Sequence, residues 1–195
     1  MWALIEDNTI TKIINNPKAM VIGDTQYSRN IFSFRWSNAE REAIGLYEVV
    51  FDNSNKKDKK WYINTNQSFA FADDTVTATY GTATAKAHAD ANATDADGVE
   101  LDPVVVIPGL KTNLIKDLKI NVANELARTD WYITRNTEKS TAIPSAITTH
   151  RDLVRTRQAT METQITNASD TPALETLYTH TTTDGVQSRP LGELP

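Results

Sequence analysis

The sequence predicts an α+β protein in three parts: a small β-rich module at residues 1–81, an Ala/Thr-rich linker at 82–109, and a helical hairpin with a C-terminal extension at 110–195. Apolar and polar residues alternate over short runs in the first part, which is typical of half-buried strands. Alanine occupies almost every second position of residues 82–97, where large side chains that could form a core are missing. From residue 110 onward apolar residues recur every four positions, the period of an amphipathic helix.

The first module should begin with a β-hairpin. Two short apolar runs in MWALIEDNTITKII flank residues 6–8, whose Asp and Asn tolerate the left-handed conformation of a tight turn. A short helix is predicted after Ser37, because Glu40 follows at the spacing of a capping box and Gly45 ends the segment.

Further strands are predicted on both sides of that helix. Residues 26–36, QYSRNIFSFRW, alternate around Ile31, Phe32 and Phe34. The runs LYEVVF and KWYINTNQSFAF flank a polar loop, and DDTVTATY supplies one more alternating strand. The doublet Asp73-Asp74 has the chemistry of a turn more than that of a paired catalytic acid and base.

The Ala/Thr-rich segment has too little apolar surface to order itself. Residues 82–97 could form a linker, a frayed helix, or a strand that orders only against a partner. The run VVVI at 104–107 differs, because it is apolar, β-prone and suited to pairing with a strand edge. We therefore expect residues 82–109 to be mobile in the free protein and ordered against another subunit in an assembly.

The last part predicts two long helices. Leu110, Leu114, Leu118, Val122 and Leu126 form one stripe, widened by Ile115 and Ala123, on a helix that should end near Asp130. Pro144-Ser145 then opens a second helix, whose apolar face carries Ile147, Val154, Met161 and Ile165. A weaker third helix, PALETLY, follows Asp170, and the last fifteen residues have turn chemistry with little to pack.

Composition excludes several kinds of partner. The net charge of −5 gives no general attraction to nucleic acid or to anionic lipid. No apolar run approaches the roughly 20 residues that a bilayer span needs, and the N-terminus has acids where a signal peptide needs basic residues. We expect synthesis in a cytosol, with no nucleic acid and no membrane as partner.

The sequence offers no catalytic, cofactor or metal site. It contains no cysteine, which removes thiol catalysis and thiolate ligands. His88, His150 and His180 are far apart and match no metal-binding spacing. Phosphate-binding glycine motifs and a GxSxG element are missing, so we expect a non-enzymatic protein with no small-molecule ligand.

The pair Trp131-Tyr132 stands at the corner between the two long predicted helices. It could plug the core at the junction, or it could form a docking surface, because Trp, Tyr and Arg dominate binding hot spots. We expect Trp131 to be mostly buried between the helix ending near Arg128 and the helix containing Val154. Arg151 or Arg155 should contact Asp130 or a backbone carbonyl at this corner.

The stretch LARTDWYITRN…IP…ITTHRDLVRTRQ resembles the C-terminal module of bacteriophage tail-assembly and tail-fibre-assembly proteins. In those families a helix ends in an Asp-Trp pair, and after a polar loop a second helix carries a Tyr-Arg-x-x-Leu-Arg element. By this resemblance Asp130 and Trp131 match the pair, and Arg151 and Arg155 match the two arginines. Val154 stands at the Leu position, while His150 and Ile147 replace aromatic residues of the family.

The N-terminal stretch is similar to a β module of phage tail-associated proteins, in which an ALIE strand and a GLY-V strand flank a short helix. Together the two resemblances imply a phage tail context. The sequence of a β module, an Ala-rich tract and a helical hairpin suits bridging between neighbouring subunits, and therefore favours a non-enzymatic tail, baseplate or fibre-attachment component. Its partners would be other tail or fibre proteins or further copies of itself. It would be made in the bacterial host cytoplasm and would be located in the virion. A dissociable assembly chaperone, absent from the mature particle, is the alternative.

Overall fold

The computed structural model describes residues 1–65 and 67–195 and has the predicted α+β fold. The chain divides into two compact units, Met1–Thr84 and Ala85–Pro195. The strand-rich unit therefore ends three residues after the predicted module boundary at residue 81. Almost all of the predicted linker belongs to the second unit.

The first unit consists of short strands and one α-helix. Its elements in chain order are β1 (Trp2–Glu6), β2 (Thr9–Ile14), β3 (Met20–Ile22), β4 (Thr25–Tyr27), α1 (Asn38–Glu42), β5 (Leu46–Asp52), β6 (Tyr62–Ile63), β7 (Gln67–Ala72) and β8 (Thr75–Tyr80). Strand β9 (Thr84–Ala85) lies at the boundary of the units. Position 66 of the predicted strand KWYINTNQSFAF lies outside the described residues, and the remainder contributes β6 and β7.

Five of these strands form one mixed sheet in the order β2-β1-β5-β8-β7. β5 and β8 run parallel, with Val49 opposite Val76, and the other neighbours are antiparallel. The predicted hairpin between β1 and β2 is confirmed, since Asp7 and Asn8 both have positive φ, 50° and 59°.

The sheet buries side chains on both faces. One cluster contains Ala3, Ile5, Val49, Val76 and Ala78. A second cluster contains Ile14, Ile31 and Leu46, with aromatic rings packed against it. This arrangement follows from the two-residue period of a strand, which sends Ala3 and Leu46 to different faces.

The predicted capping box of α1 is confirmed. Ser37 accepts a hydrogen bond from the Glu40 amide, and the Glu40 carboxylate accepts one from the Ser37 amide at 2.8 Å. Gly45 follows with φ +77°, and a Cβ there would lie 2.4 Å from the Ile5 carbonyl oxygen. Only glycine fits this close approach between the helix end and β1.

The prediction of a strand through residues 26–36 is wrong. Only Thr25–Tyr27 is a strand, and Arg29–Phe32 is a 3-10 helix capped by the Ser28 hydroxyl. The reason is a tertiary contact. Arg41 is buried, and its guanidinium donates hydrogen bonds to the carbonyls of Ile31 (2.8 Å) and Ser33, which holds the chain in a turn.

The second unit combines helices with two small hairpins. Its remaining elements are β10 (Ala91–Asn92), β11 (Val106–Ile107), α2 (Leu110–Ala127), α3 (Asp130–Lys139), α4 (Ser145–Asn167), α5 (Thr171–Tyr178), β12 (Thr181–Thr183) and β13 (Val186–Ser188). Helices α2 and α4 form the predicted hairpin. They run antiparallel, since Lys111 donates to the Thr166 carbonyl at one end and Arg151 donates to the Leu126 carbonyl at the other.

The core of this unit lies along the predicted stripes. From α2 it takes Leu114, Leu118 and Val122, and from α4 it takes Val154, Met161 and Ile165. Ala123, expected to widen the stripe of α2, is exposed, and Ile115 is only half-buried. The helix contact therefore uses a narrower strip of α2 than the sequence suggests.

The third predicted helix is confirmed as α5, capped by the side chain of Asp170. The expectation that the last fifteen residues have little to pack is wrong at one position. Leu191 is 1% exposed, and Arg157 of α4 donates to the carbonyls of Leu191 and Glu193. The turn chemistry is nonetheless present, because Asp184 and Gly185 have positive φ between β12 and β13.

Candidate functional site

The predicted corner between the helices contains a helix of its own. A polar loop was expected after Trp131, but residues Asp130–Lys139 form α3. Asp130 in its first turn and Lys139 in its last turn suit the helix dipole. Ser140 ends the helix in the left-handed conformation, with φ 54°.

Arg151 ties the end of α2 to the start of α3. Its Nη1 donates to the Leu126 carbonyl at 2.8 Å and to the Thr129 hydroxyl at 2.7 Å. Its Nη2 lies 2.9 Å from a carboxylate oxygen of Asp130. The prediction that one arginine of α4 contacts Asp130 or a corner carbonyl is confirmed for Arg151.

The two partners of this ion pair differ in environment. The Arg151 side chain is 9% exposed, whereas that of Asp130 is 59% exposed. The cation therefore lies inside the junction, at the carbonyl end of α2, where the helix dipole favours positive charge. Its Nε is buried and has no hydrogen-bond partner within the described part of the chain.

Arg155 does not reach the corner. It is half-exposed and pairs with Asp152, one turn earlier on α4, at 3.2 Å. His150 instead faces α2. Its Nε2 lies 3.2 Å from the Glu125 carboxylate, which also pairs with Arg128 at 3.2 Å.

The prediction that Trp131 is buried is wrong, because its side chain is 51% exposed. Trp131 lies in the first turn of α3, a helix with no buried residue, and therefore does not point into the space between α2 and α4. The guanidinium of Arg151 fills that space instead. The interpretation of Trp131 as a core plug is thereby overturned.

Trp131 and Tyr132 form a paired aromatic surface. Their ring centroids lie 3.9 Å apart at an interplanar angle of 33°. The guanidinium of Arg135 lies over the Trp131 ring, 5.6 Å from its centroid, and the neighbouring Ile133 is 40% exposed. Trp131 and Arg135 are exposed and Tyr132 is half-buried, and a surface group of Trp, Tyr and Arg has the composition of a protein-binding hot spot.

A second exposed surface lies in the predicted linker, which forms a β-hairpin. β10 pairs with β11, Thr94 bridges Glu100, and the turn lies at residues 95–98. The expected strand edge for VVVI thus comes from the same chain. The apolar residues of β11 and of the segment that leads to it are nevertheless exposed: Val99, Leu101, Val104, Val105, Val106 and Ile107.

The base of this hairpin is attached to the start of α2. Asp90 accepts a hydrogen bond from the Gly109 amide at 2.8 Å. Two hydrogen bonds to the Asp90 carboxylate hold its pKa below the ordinary value. The larger effect comes from the Thr112 hydroxyl and the smaller one from the Gly109 amide. A Cβ on Gly109 would lie 2.3 Å from the Ala89 carbonyl oxygen, so only glycine allows the strand and the helix to meet here.

The sequence did not reveal which apolar residues stay exposed in this hairpin. The signal that was present is composition: the strand opposite VVVI carries Ala91 and Asn92, which are too small to cover valines on either face. The position of Arg151 had a signal as well, in the four-residue spacing that puts the two arginines on one helix face.

Within residues 1–65 and 67–195, no group of three or more His, Cys, Asp or Glu side chains is arranged to hold a metal ion. The same residues include no helix with the length and apolar character of a bilayer span. No protein-family model, curated protein or solved structure matches this chain. The candidate site therefore consists of two exposed surfaces, defined by chemistry alone.

Proposed function

We propose that this chain is a non-enzymatic structural component of a bacteriophage tail, baseplate or fibre-attachment region that acts through protein–protein contacts. One observation carries the proposal: Arg151 pairs with Asp130, the first residue of the helix on which Trp131 and Tyr132 follow. There a buried arginine fixes the helix that presents the aromatic pair. A rigid scaffold under an exposed aromatic surface suits a binding role.

The hairpin at residues 91–107 also supports a role in assembly. Monomeric proteins rarely leave a continuous row of large β-branched residues in water, and such rows commonly mark interfaces. Val104 to Ile107 are each exposed by about half, between 49% and 58%. The partners would be other tail or fibre proteins or further copies of this chain, and its place the virion.

A dissociable assembly chaperone is the second candidate. The observation that favours it is the motif itself, since the resemblance of residues 110–158 is to tail-assembly and tail-fibre-assembly proteins. A chaperone would use the same exposed surfaces but would leave before the particle is complete. Both candidates act without catalysis, so activity assays cannot separate them.

Quantitative mass spectrometry of particles purified from the phage or prophage that encodes this chain tests the proposal. A structural component is expected at a fixed ratio to the major tail proteins after density-gradient purification. A chaperone would be present in the cell lysate and bound to an unassembled tail or fibre protein, but absent from the particle. A chain that associates with no tail protein in either sample would overturn both candidates.

A further inference from the structure

The hairpin at residues 91–107 leaves one strand edge open. β10 and β11 form a sheet of only two strands in the described part of the chain. The Ala93 amide donates to the Val105 carbonyl at 2.7 Å, and Asn92 stands opposite Val106. In an antiparallel ladder hydrogen-bonded pairs alternate with non-bonded pairs, so Val106 directs its N–H and C=O away from β10.

This edge lacks the charged side chains, especially lysine, that protect many strand edges. Two other protective features are present, because β11 has only two residues and prolines flank the segment, and they confine any ladder to residues 104–107. Residues 103–110 contain no charged side chain, and the four residues between Pro103 and Pro108 are all β-branched. Their side chains are about half-exposed on both faces of the ribbon.

We propose that this edge pairs with the same edge of a second copy of the chain, in an antiparallel ladder with a two-fold axis at Val105. The inference rests on the part of the proposed function that assigns protein–protein contacts to this chain. The segment is complementary to itself, because β-branched residues would face β-branched residues at every position. Self-pairing also places no like charges opposite one another.

The prolines select the register. With Val105 opposite its own copy, Val104 faces Val106, and these are the residues expected to direct their backbone groups outward. Pro103 then occupies a position whose N–H is not required by the new ladder. With this axis Pro108 lies opposite Asp102, outside the VVVI segment. Shifting the axis to Val106 would place Pro108, which has no N–H, opposite Val104, and the ladder would then lose a hydrogen bond inside the segment.

The exposed area sets the expected strength. Val104 to Ile107, each about half-exposed, offer on the order of 350 Å² per chain, so two copies would bury at most about 700 Å². That value lies below the roughly 1,200 Å² at which specific, stable interfaces begin, and it predicts a weak dimer. The association should therefore be measured over about 5–500 µM of the full-length chain.

Sedimentation equilibrium of the full-length protein tests this proposal. We expect the mass to rise with concentration from 21.7 kDa toward twice that value. Val105→Lys would place two ammonium groups together at the axis and should weaken the dimer at least tenfold, as should Val105→Glu alone. An equimolar mixture of the two variants should restore it, because opposite charges then meet.

Two further variants keep the test specific. Val186→Lys adds the same charge to another exposed valine of this unit and should leave the dimer unchanged. Val106→Pro removes an outward N–H without breaking a bond inside the hairpin, and it should abolish the dimer. This variant replaces Val105→Lys as the test if the Lys variant fails to fold. Circular dichroism at 222 nm verifies that each variant retains its helices.

A wild-type chain that stays monomeric at the highest concentration overturns the proposal. A trimer also overturns it, because three copies cannot share one two-fold axis, and so does a dimer that Val105→Lys leaves intact. Each of these results concerns self-pairing only. Mass spectrometry of the particles would still show whether the chain is a structural component, a chaperone or neither of these. Failure of the self-pairing proposal can therefore be distinguished from failure of the proposed function.

Discussion

Replacing Arg151 by Met should destabilise the C-terminal unit, and the structure sets the size of the effect. The change removes two hydrogen bonds to neutral acceptors, the Leu126 carbonyl and the Thr129 hydroxyl, and one ion pair with Asp130. The ion pair contributes little, at most about 1 kcal/mol, because the carboxylate is mostly in water.

The two other contacts are also partly replaceable. The Leu126 carbonyl keeps the Thr129 amide as a donor at 3.1 Å, so the substitution does not leave it unsatisfied. Removing the guanidinium also removes the cost of holding a charge in a buried position. A charge-assisted bond at a helix C-terminus, less this cost, leaves a net loss of about 2 kcal/mol in the free energy of unfolding.

Urea unfolding of the full-length chain, followed by circular dichroism at 222 nm, measures this loss, because α2 to α5 all lie in the C-terminal unit. Arg155→Met is the matched control. It removes an exposed pair on the same helix and should cost about 0.5 kcal/mol or less. If the two variants unfold within about 0.5 kcal/mol of each other, Arg151 does not secure the junction, and the argument above fails.

Three other predictions follow from the same structure. Trp131→Ala should lower the free energy of unfolding by about 1 kcal/mol or less, because about half of the ring is in water. A loss near 4 kcal/mol in the same urea assay would show that Trp131 is buried after all. Asp90→Asn should destabilise the C-terminal unit more at pH 6 than at pH 3. A lowered folded-state pKa contributes stability above the unfolded value, about 4, and that stability is lost as pH falls through the folded value. Urea midpoints at the two pH values give this comparison, and an effect equal at both would contradict it. Arg41→Met should destabilise the first unit by about 2–4 kcal/mol, because the buried guanidinium also stacks over Trp2, 4.8 Å from the ring centroid. Tryptophan fluorescence during urea unfolding reports this loss, and a change under about 0.5 kcal/mol would show that the residue does not anchor the 3-10 helix.

Local chemistry determined much of the fold from the sequence alone. The turn at Asp7-Asn8, the capping box of Ser37 and Glu40, and the helix starts at Pro144 and Asp170 each depend on a few neighbouring residues. Such signals are readable because their hydrogen bonds close within one turn of chain. The division into a strand-rich and a helical part followed from apolar periodicity, which reflects the same short-range geometry.

Contacts between distant residues decided the candidate site. Arg151 and Arg155 are four residues apart on α4, and only the alignment of α4 with α2 placed the first at the Leu126 carbonyl and left the second in water. Arg151 lies buried at this junction, whereas Trp131 lies exposed on α3. The pairing of Val106 with Asn92 likewise depended on the chain returning after fourteen residues. Sequence periodicity identifies the apolar side of an element, but the register between elements determines which side chain meets which, and that is a property of the packed structure.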